Sequence, residues 1–253
     1  MKKTPIILAA ALVFAVTSYG QATVTFDGPV RIFNSDPATT LDTDGTLLLG
    51  MNVGSASDVI VDTNRSEGSL TFTGSDISGA TQTVSGGGVS LTVSPDNAFA
   101  SRGEATYSNN PDLETLFSSF AMSNASNAAS SRITLSLSGL TDGQEYRLQL
   151  LHYDPGVEPN SREMNLYNAD DLLNNTGVFT YYDSSSNIAL NAVVITATWT
   201  AVGTTQSFFL DGEGAFDRSV LNAAILHSIP EPATYAAFAG LLAFSAIMFR
   251  RCR

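Results

Sequence analysis

The sequence predicts an all-β fold: a β-sandwich with one short helix, flanked by an N-terminal signal peptide and a C-terminal transmembrane helix. Three observations carry this prediction. Between the two ends, apolar residues recur mainly at every second position, the period of a strand with one face on a core. Clusters of Ser, Asn, Asp and Gly separate these segments and favour turns over helix. At both ends the alternation gives way to uninterrupted apolar runs.

At the N-terminus, Lys2 and Lys3 precede an apolar run from Ile6 to Val16, the n-region and h-region of a secretory signal peptide. That run is too short to span a bilayer. Gly20-Gln21-Ala22 supplies the small residues a signal peptidase pocket accommodates, so residues 1–22 are read as the signal peptide, cleaved before Thr23. The segment from Thr23 to Ile229, about 207 residues, fits one large all-β domain, drawn as an extracytoplasmic sandwich over 23–228.

Within it, strands are expected at Leu70 to Thr73 and Val89 to Val93. A short helix follows, because Leu113, Leu116, Phe117 and Phe120 fall at i, i+3, i+4 and i+7 behind an Asn110 cap and Pro111 at the first helical position. It is expected to lie over one end of the sandwich, with its aromatic stripe in the core. Ile133, Leu135 and Leu137 then alternate with Thr134, Ser136 and Ser138, and Tyr146, Leu148 and Leu150 share a face beyond Asp142-Gly143. The Asp-Gly turn makes these two segments read as an antiparallel pair. Further strands are expected at Met164 to Tyr167, Ala192 to Thr200, Ser207 to Leu210 and Val220 to Leu226. Val193, Ile195, Ala197 and Trp199 share one face, and Leu221 and Ile225 another. Thr-x-Thr triplets at Thr71, Thr81 and Thr196 are irregularly spaced, so no solenoid period is present.

Charge narrows the function. The chain has 12 Lys+Arg and 24 Asp+Glu; five of the bases and one acid lie in the ends, leaving 7 against 23, a formal −16 with no lysine. Nucleic acid, whose binding needs a cationic stripe, is excluded as a partner. The single cysteine, Cys252, sits at the far C-terminus, so the body has neither a disulfide nor thiol chemistry.

No catalytic residues are assigned and no enzyme activity is expected. Only His152 and His227 are present, and neither a zinc spacing nor a Gly-x-Ser-x-Gly elbow occurs. His152 extends the Tyr146, Leu148, Leu150 face to a strand edge, where it reads as a satisfied structural histidine. The acid pairs Asp42 with Asp44, Asp170 with Asp171, and Asp211 with Glu213 read as solvated turn acids. Leu41-Asp42-Thr43-Asp44-Gly45 resembles the opening of a calcium loop, but Leu-Leu-Leu-Gly-Met follows where a last acidic ligand is needed. Calcium at Asp42 and Asp44 is thus the one candidate cofactor. Candidate glycan-binding residues are Tyr153, Asp154, Arg162, Tyr181, Tyr182 and Asp183, which combine aromatic faces with planar polar groups near predicted turns.

At the C-terminus, Pro230-Glu231-Pro232 is followed by uncharged residues from Ala233 to Phe249 and then by Arg250, Arg251 and Arg253. As a helix, 233–249 reaches roughly 26 Å at 1.5 Å per residue, the lower limit for spanning the hydrocarbon core. The basic tail should stay cytoplasmic. This order of motif, span and basic end over residues 229–253 resembles the PEP-CTERM sorting signal of bacterial exported proteins. The resemblance implies processing by a membrane-embedded exosortase after signal peptidase has acted. It implies transient anchoring in the inner membrane through the C-terminal helix, then a place at the cell surface or in the extracellular matrix.

The run from Ser138 to Leu150, then Arg162-Glu163-Met164-Asn165-Leu166 and Leu221-Asn222-Ala223-Ala224-Ile225, loosely resembles galactose-binding-like jelly rolls of the malectin type. That resemblance implies a jelly roll and leaves the ligand open. The expected function is a non-catalytic surface or matrix protein associated with exopolysaccharide or adhesion. The alternatives are a carbohydrate-binding module with a defined glycan pocket and a glycoside-active enzyme.

Overall fold

The computed structural model describes residues 22–32, 41, 44–65, 68–101, 111–123, 132–153, 162–182, 192–213 and 218–230. The expected signal peptide up to residue 21 lies outside the described residues, as do Glu231, Pro232, the expected transmembrane helix and the basic tail. Among the described residues no helix is long and apolar enough to cross a membrane.

In chain order the first elements are β1 (Val24–Ile32), β2 (Thr46–Asn52), β3 (Val59–Arg65), β4 (Gly68–Phe72), β5 (Gln82–Gly86), β6 (Val89–Pro95), β7 (Ala98–Ser101), α1 (Pro111–Phe117) and β8 (Ser119–Met122). They are followed by β9 (Arg132–Ser138), β10 (Glu145–His152), β11 (Arg162–Asn168), β12 (Asp171–Asn175), β13 (Phe179–Tyr182), β14 (Ala192–Thr200), β15 (Thr205–Glu213), β16 (Val220–Leu221) and β17 (Ala223–Ile229). Five strands form one sheet in the order β1-β14-β10-β17-β2. The facing sheet runs β12-β11-β15-β9-β6-β5, with β13 also paired to β11. The described residues therefore form the all-β sandwich that the alternation predicts, with one short helix among them.

Alternation places one side of each strand between the sheets. Ile133, Leu135 and Leu137 of β9 meet Tyr146, Leu148 and Leu150 of β10 and Val193, Ile195, Ala197 and Trp199 of β14 in one buried cluster. Trp199 stacks on Tyr146 at 5.8 Å and meets Phe208 edge-on at 5.3 Å. Such pairs add about 0.5–1.5 kcal/mol beyond the area they bury.

The five-stranded sheet is buried on part of its other face as well. There Leu113, Leu116 and Phe117 of α1, with Val61, Leu70 and Phe72 of the β3–β4 hairpin, form a second cluster over Leu151, Val194 and Ile225. The hairpin is tied to β2: Asn52 N–H donates to Thr73 O at 2.9 Å and Thr73 N–H to Gly50 O at 2.8 Å. This two-sided burial explains why Ala192-Val193-Val194-Ile195 is apolar without a break.

Three expectations need correction. First, β9 and β10 are not a hairpin: β9 pairs with β6 and β15, and β10 with β14 and β17. The turn at Thr141–Gln144, with Gly143 at φ 80° and Gln144 N–H donating to Thr141 O at 3.1 Å, carries the chain from one sheet to the other. The link from β14 to β15 crosses beside it, and the two are joined by Gly143 N–H to Ala201 O at 2.9 Å and Leu140 N–H to Thr204 O at 3.0 Å. Second, α1 begins at Pro111 as expected but ends at Phe117, where Ser118 Oγ donates to Thr115 O at 2.7 Å. It covers the outer face of the five-stranded sheet rather than a sandwich end, and Phe120 belongs to β8 and the inter-sheet core. Third, Val220 to Leu226 is two strands broken at Asn222, so Leu221 and Ile225 enter different clusters.

Candidate functional site

Strand directions bring most of the nominated glycan residues to one end of the sandwich. β1, β10, β13 and β15 finish there, and β9, β11 and β14 begin there. The registers agree: Arg31 and His152 both sit opposite Val193, Arg162 opposite Tyr182, and Arg132 opposite Asp211. Contacts between the sheets fix the alignment, since His152 of β10 lies 6.2 Å from the Phe179 ring of β13. The backbones of Tyr153, Arg162, Tyr181 and Tyr182 are thus gathered at this end, while Asp154 and Asp183 lie outside the described residues.

Tyr153 does not serve as a surface aromatic. One position beyond the inward-facing His152, its side chain enters the second cluster, only 4% exposed and 5.3 Å from the Phe117 ring. Its backbone N–H donates to Asn222 Oδ1 at 2.7 Å. The period-two reading of β10 placed this residue near a turn and could not foresee α1 packed over it.

His152 is fully buried rather than at an edge. Its Nδ1 lies 2.6 Å from Val220 O. A carbonyl only accepts, so Nδ1 carries the proton and Nε2 presents a lone pair. Among the described residues Nε2 has no hydrogen-bond partner. Desolvation lowers the imidazole pKa to about 4, opposed by the bond to Val220. Arg31 occupies the same inward row across β1, β14 and β10, and its buried Nη1 also lacks a partner among the described residues. Sequence reasoning missed Arg31, because β1 shows no clean alternation around Gly28-Pro29.

The buried amides hold the scaffold. Asn222 donates from Nδ2 to Phe117 O at 3.3 Å and Ser119 O at 3.1 Å while accepting from Tyr153 N–H. Its backbone bonds Leu151 O at 3.0 Å and accepts from Val53 N–H at 2.9 Å, so one residue fastens β10, β8, α1 and the end of β2. Gln82 does the same for the following loop, accepting from Gly54 N–H at 2.8 Å and donating to Asn52 O and Ser55 O at 2.9 Å.

The acids stay on turns and outer faces. Asp44 is exposed and its backbone carbonyl accepts from Arg147 Nη1 at 3.4 Å, while Asp42 lies outside the described residues. Asp171 Oδ1 accepts from Leu173 N–H at 3.1 Å, a local turn bond, and Asp170 sits on the same turn. Among the described residues no three His, Cys, Asp or Glu side chains are grouped to hold a metal ion.

No family model matches the chain, and no curated protein matches it. Among solved structures, the chain is similar to one from work on the promiscuous specificity of carbohydrate-binding modules from the β-sandwich superfamily. The identity is 7%, the match covers 75% of this chain and 95% of that one, and the TM-score is 0.13.

Proposed function

We propose that the chain is an exported, non-catalytic protein of the bacterial cell surface or extracellular matrix, and that its sandwich associates with exopolysaccharide. The ends of the sequence support the address: a signal-peptide pattern before Thr23, and Pro230-Glu231-Pro232 with an apolar span and Arg250, Arg251 and Arg253 after it. On this reading signal peptidase and an exosortase process the two ends, and the body between them is a jelly roll. The observation that carries the binding part is the convergence of the backbones of Arg162, Tyr181 and Tyr182 on one sandwich end, with Arg162 and Tyr182 directly paired. Guanidinium and phenol groups together suit sugar hydroxyls and ring faces.

The test is cell fractionation of the full chain together with binding to polysaccharide recovered from the same cells. The wild type is expected in the surface or matrix fraction and in the polysaccharide precipitate. A Glu231→Ala variant is expected to stay with the membrane as an unprocessed precursor. Wild-type release of that variant would remove the sorting half of the reading, and failure of the released protein to precipitate would remove the other half.

A further inference from the structure

The outer face of the seven-stranded sheet carries two complete cross-strand rows of hydroxyls. Thr83, Thr92, Ser136 and Ser207 lie side by side across β5, β6, β9 and β15, and Ser85, Ser90, Ser138 and Thr205 form the next row. Ser94 and Thr134 begin a third, which continues into Phe209 and Tyr167. Neighbouring strands are about 4.8 Å apart and successive outward positions on one strand about 6.8 Å, so these groups make a shallow grid. Thr83, Ser85, Ser138 and Thr205 are exposed and the other hydroxyls of the two rows half-buried. Some already bond one another, Thr83 Oγ1 to Thr92 Oγ1 at 2.9 Å and Ser85 Oγ to Ser90 Oγ at 2.7 Å. A hydroxyl has one donor and two acceptor sites, so each paired oxygen keeps capacity for a further partner.

No charged residue occupies these rows, although the segment from Thr23 to Ile229 carries 23 acids. In register, towards the end where Arg162 and Tyr182 pair, the grid is followed by Arg132 opposite Asp211. Arg132 lies over the Phe209 ring at 4.6 Å. That pairing covers one face of Phe209, which stands in the third row next to Tyr167.

We infer that this face is the surface on which a neutral, hydroxyl-rich polysaccharide lies, across β5, β6, β9 and β15 with Phe209 and Tyr167 at its margin. The inference rests on the exopolysaccharide reading above and extends its site from the strand ends onto a sheet face. Charge selects the occupant. An anionic polymer meets no cation on the two rows and is repelled by the acidic remainder of the chain. A protein partner needs an apolar centre to its interface, which rows of Ser and Thr do not supply. Sugar hydroxyls both donate and accept, as these side chains do.

Native affinity gels of the detergent-solubilised full chain decide it, cast with neutral hydroxyethyl cellulose, dextran or galactomannan, and with alginate as the anionic probe. Retardation by at least one neutral polymer and not by alginate is expected. Ser136→Asp should weaken it by about tenfold or more, equivalent to a modest loss of affinity. Ser138→Asp, at an exposed position, should do the same and covers the case in which Ser136→Asp fails to fold. Thr25→Asp, an exposed position on the outer face of the other sheet, should bind as wild type. If both Asp variants of the hydroxyl rows are retarded as strongly as the wild type, the inference is overturned while the exopolysaccharide reading stands. Retardation by alginate alone overturns the neutral preference. Retardation in no gel counts against both.

Discussion

The two sheets solve the same burial problem differently. The seven-stranded sheet is apolar on its inner face and carries hydroxyls outside, so β9 reads as strict alternation, Ile133, Leu135 and Leu137 against Thr134, Ser136 and Ser138. The five-stranded sheet is apolar inside and, over half its outer face, apolar again beneath α1 and the β3–β4 hairpin. Its outer face changes character along the strands: Thr25, Thr198 and Arg147 share a row at one end, and Val30, Val194 and Leu151 another towards the end that holds His152. The comparison teaches that one sheet carries a second core on its outer face while the other leaves that face to hydroxyls.

The largest effect that tests this contrast comes from the covered face. Phe117, the last residue of α1, is fully buried against Tyr153. Phe117→Ala is expected to cost about 3–5 kcal/mol, read as a shift of the urea midpoint. A change within 0.5 kcal/mol, typical of surface positions, would mean that helix and hairpin are ornaments on the sheet rather than its second core.

His152 tests the inner space at the end of β10, and its effect depends on pH. In the unfolded chain the imidazole takes a proton near 6.5, whereas in the folded chain burial delays protonation to about 4. Above the upper value both states are neutral and the group does not affect stability. As pH falls from 6.5 to 4 the unfolded chain binds the proton first, so stability drops by up to about 3 kcal/mol, with no further loss from this group below that window. Unfolding followed across this range should show the loss in the wild type and a flatter profile in His152→Phe. Equal slopes in the two proteins would assign the acid sensitivity elsewhere.

Asn222 joins the two cores and comes next. Asn222→Ala leaves Tyr153 N–H, Phe117 O and Ser119 O without the side-chain partner each now has. The expected cost is about 2–3 kcal/mol, since buried groups that lose a partner are expensive. Asn222→Asp should not rescue it, because a carboxylate cannot donate to the two carbonyls.

How far the sequence foretold this follows from which signals are one-dimensional. The inner faces of β9, β10 and β14 were legible because alternation is a property of one strand. Pairing was not, since Thr141-Asp142-Gly143 suits a hairpin and a sheet crossing equally, and only the facing strands decide. Leu221 and Ile225 were misassigned because Asn222, by spending its backbone on Leu151 and Val53, breaks the parity between them. β1 and β2 went unseen: Gly28-Pro29 interrupts one, and Leu47-Leu48-Leu49 masks alternation in the other. With β1 unseen, the shared row of Arg31 and His152 was out of reach. The neighbourhood of Arg162, Tyr181 and Tyr182 was partly readable, because turn-rich segments flank them. Tyr153 was not, because its destination depends on a helix remote in sequence.

The smallest effect bears on the presenting face. Ser136 sits mid-strand on β9 with Thr92 on one side and Ser207 on the other. Ser136→Ala removes a half-buried hydroxyl from the face turned away from the core, and the expected change in stability lies within about 0.5 kcal/mol. The matching inward change one residue earlier, Leu135→Ala, removes a fully buried side chain and should cost about 2–5 kcal/mol. Paired urea titrations of these two neighbours measure the asymmetry of the sheet directly. A loss above 1 kcal/mol for Ser136→Ala would show that the hydroxyl rows are spent on holding the sheet together, and they would then be poor candidates for holding anything else.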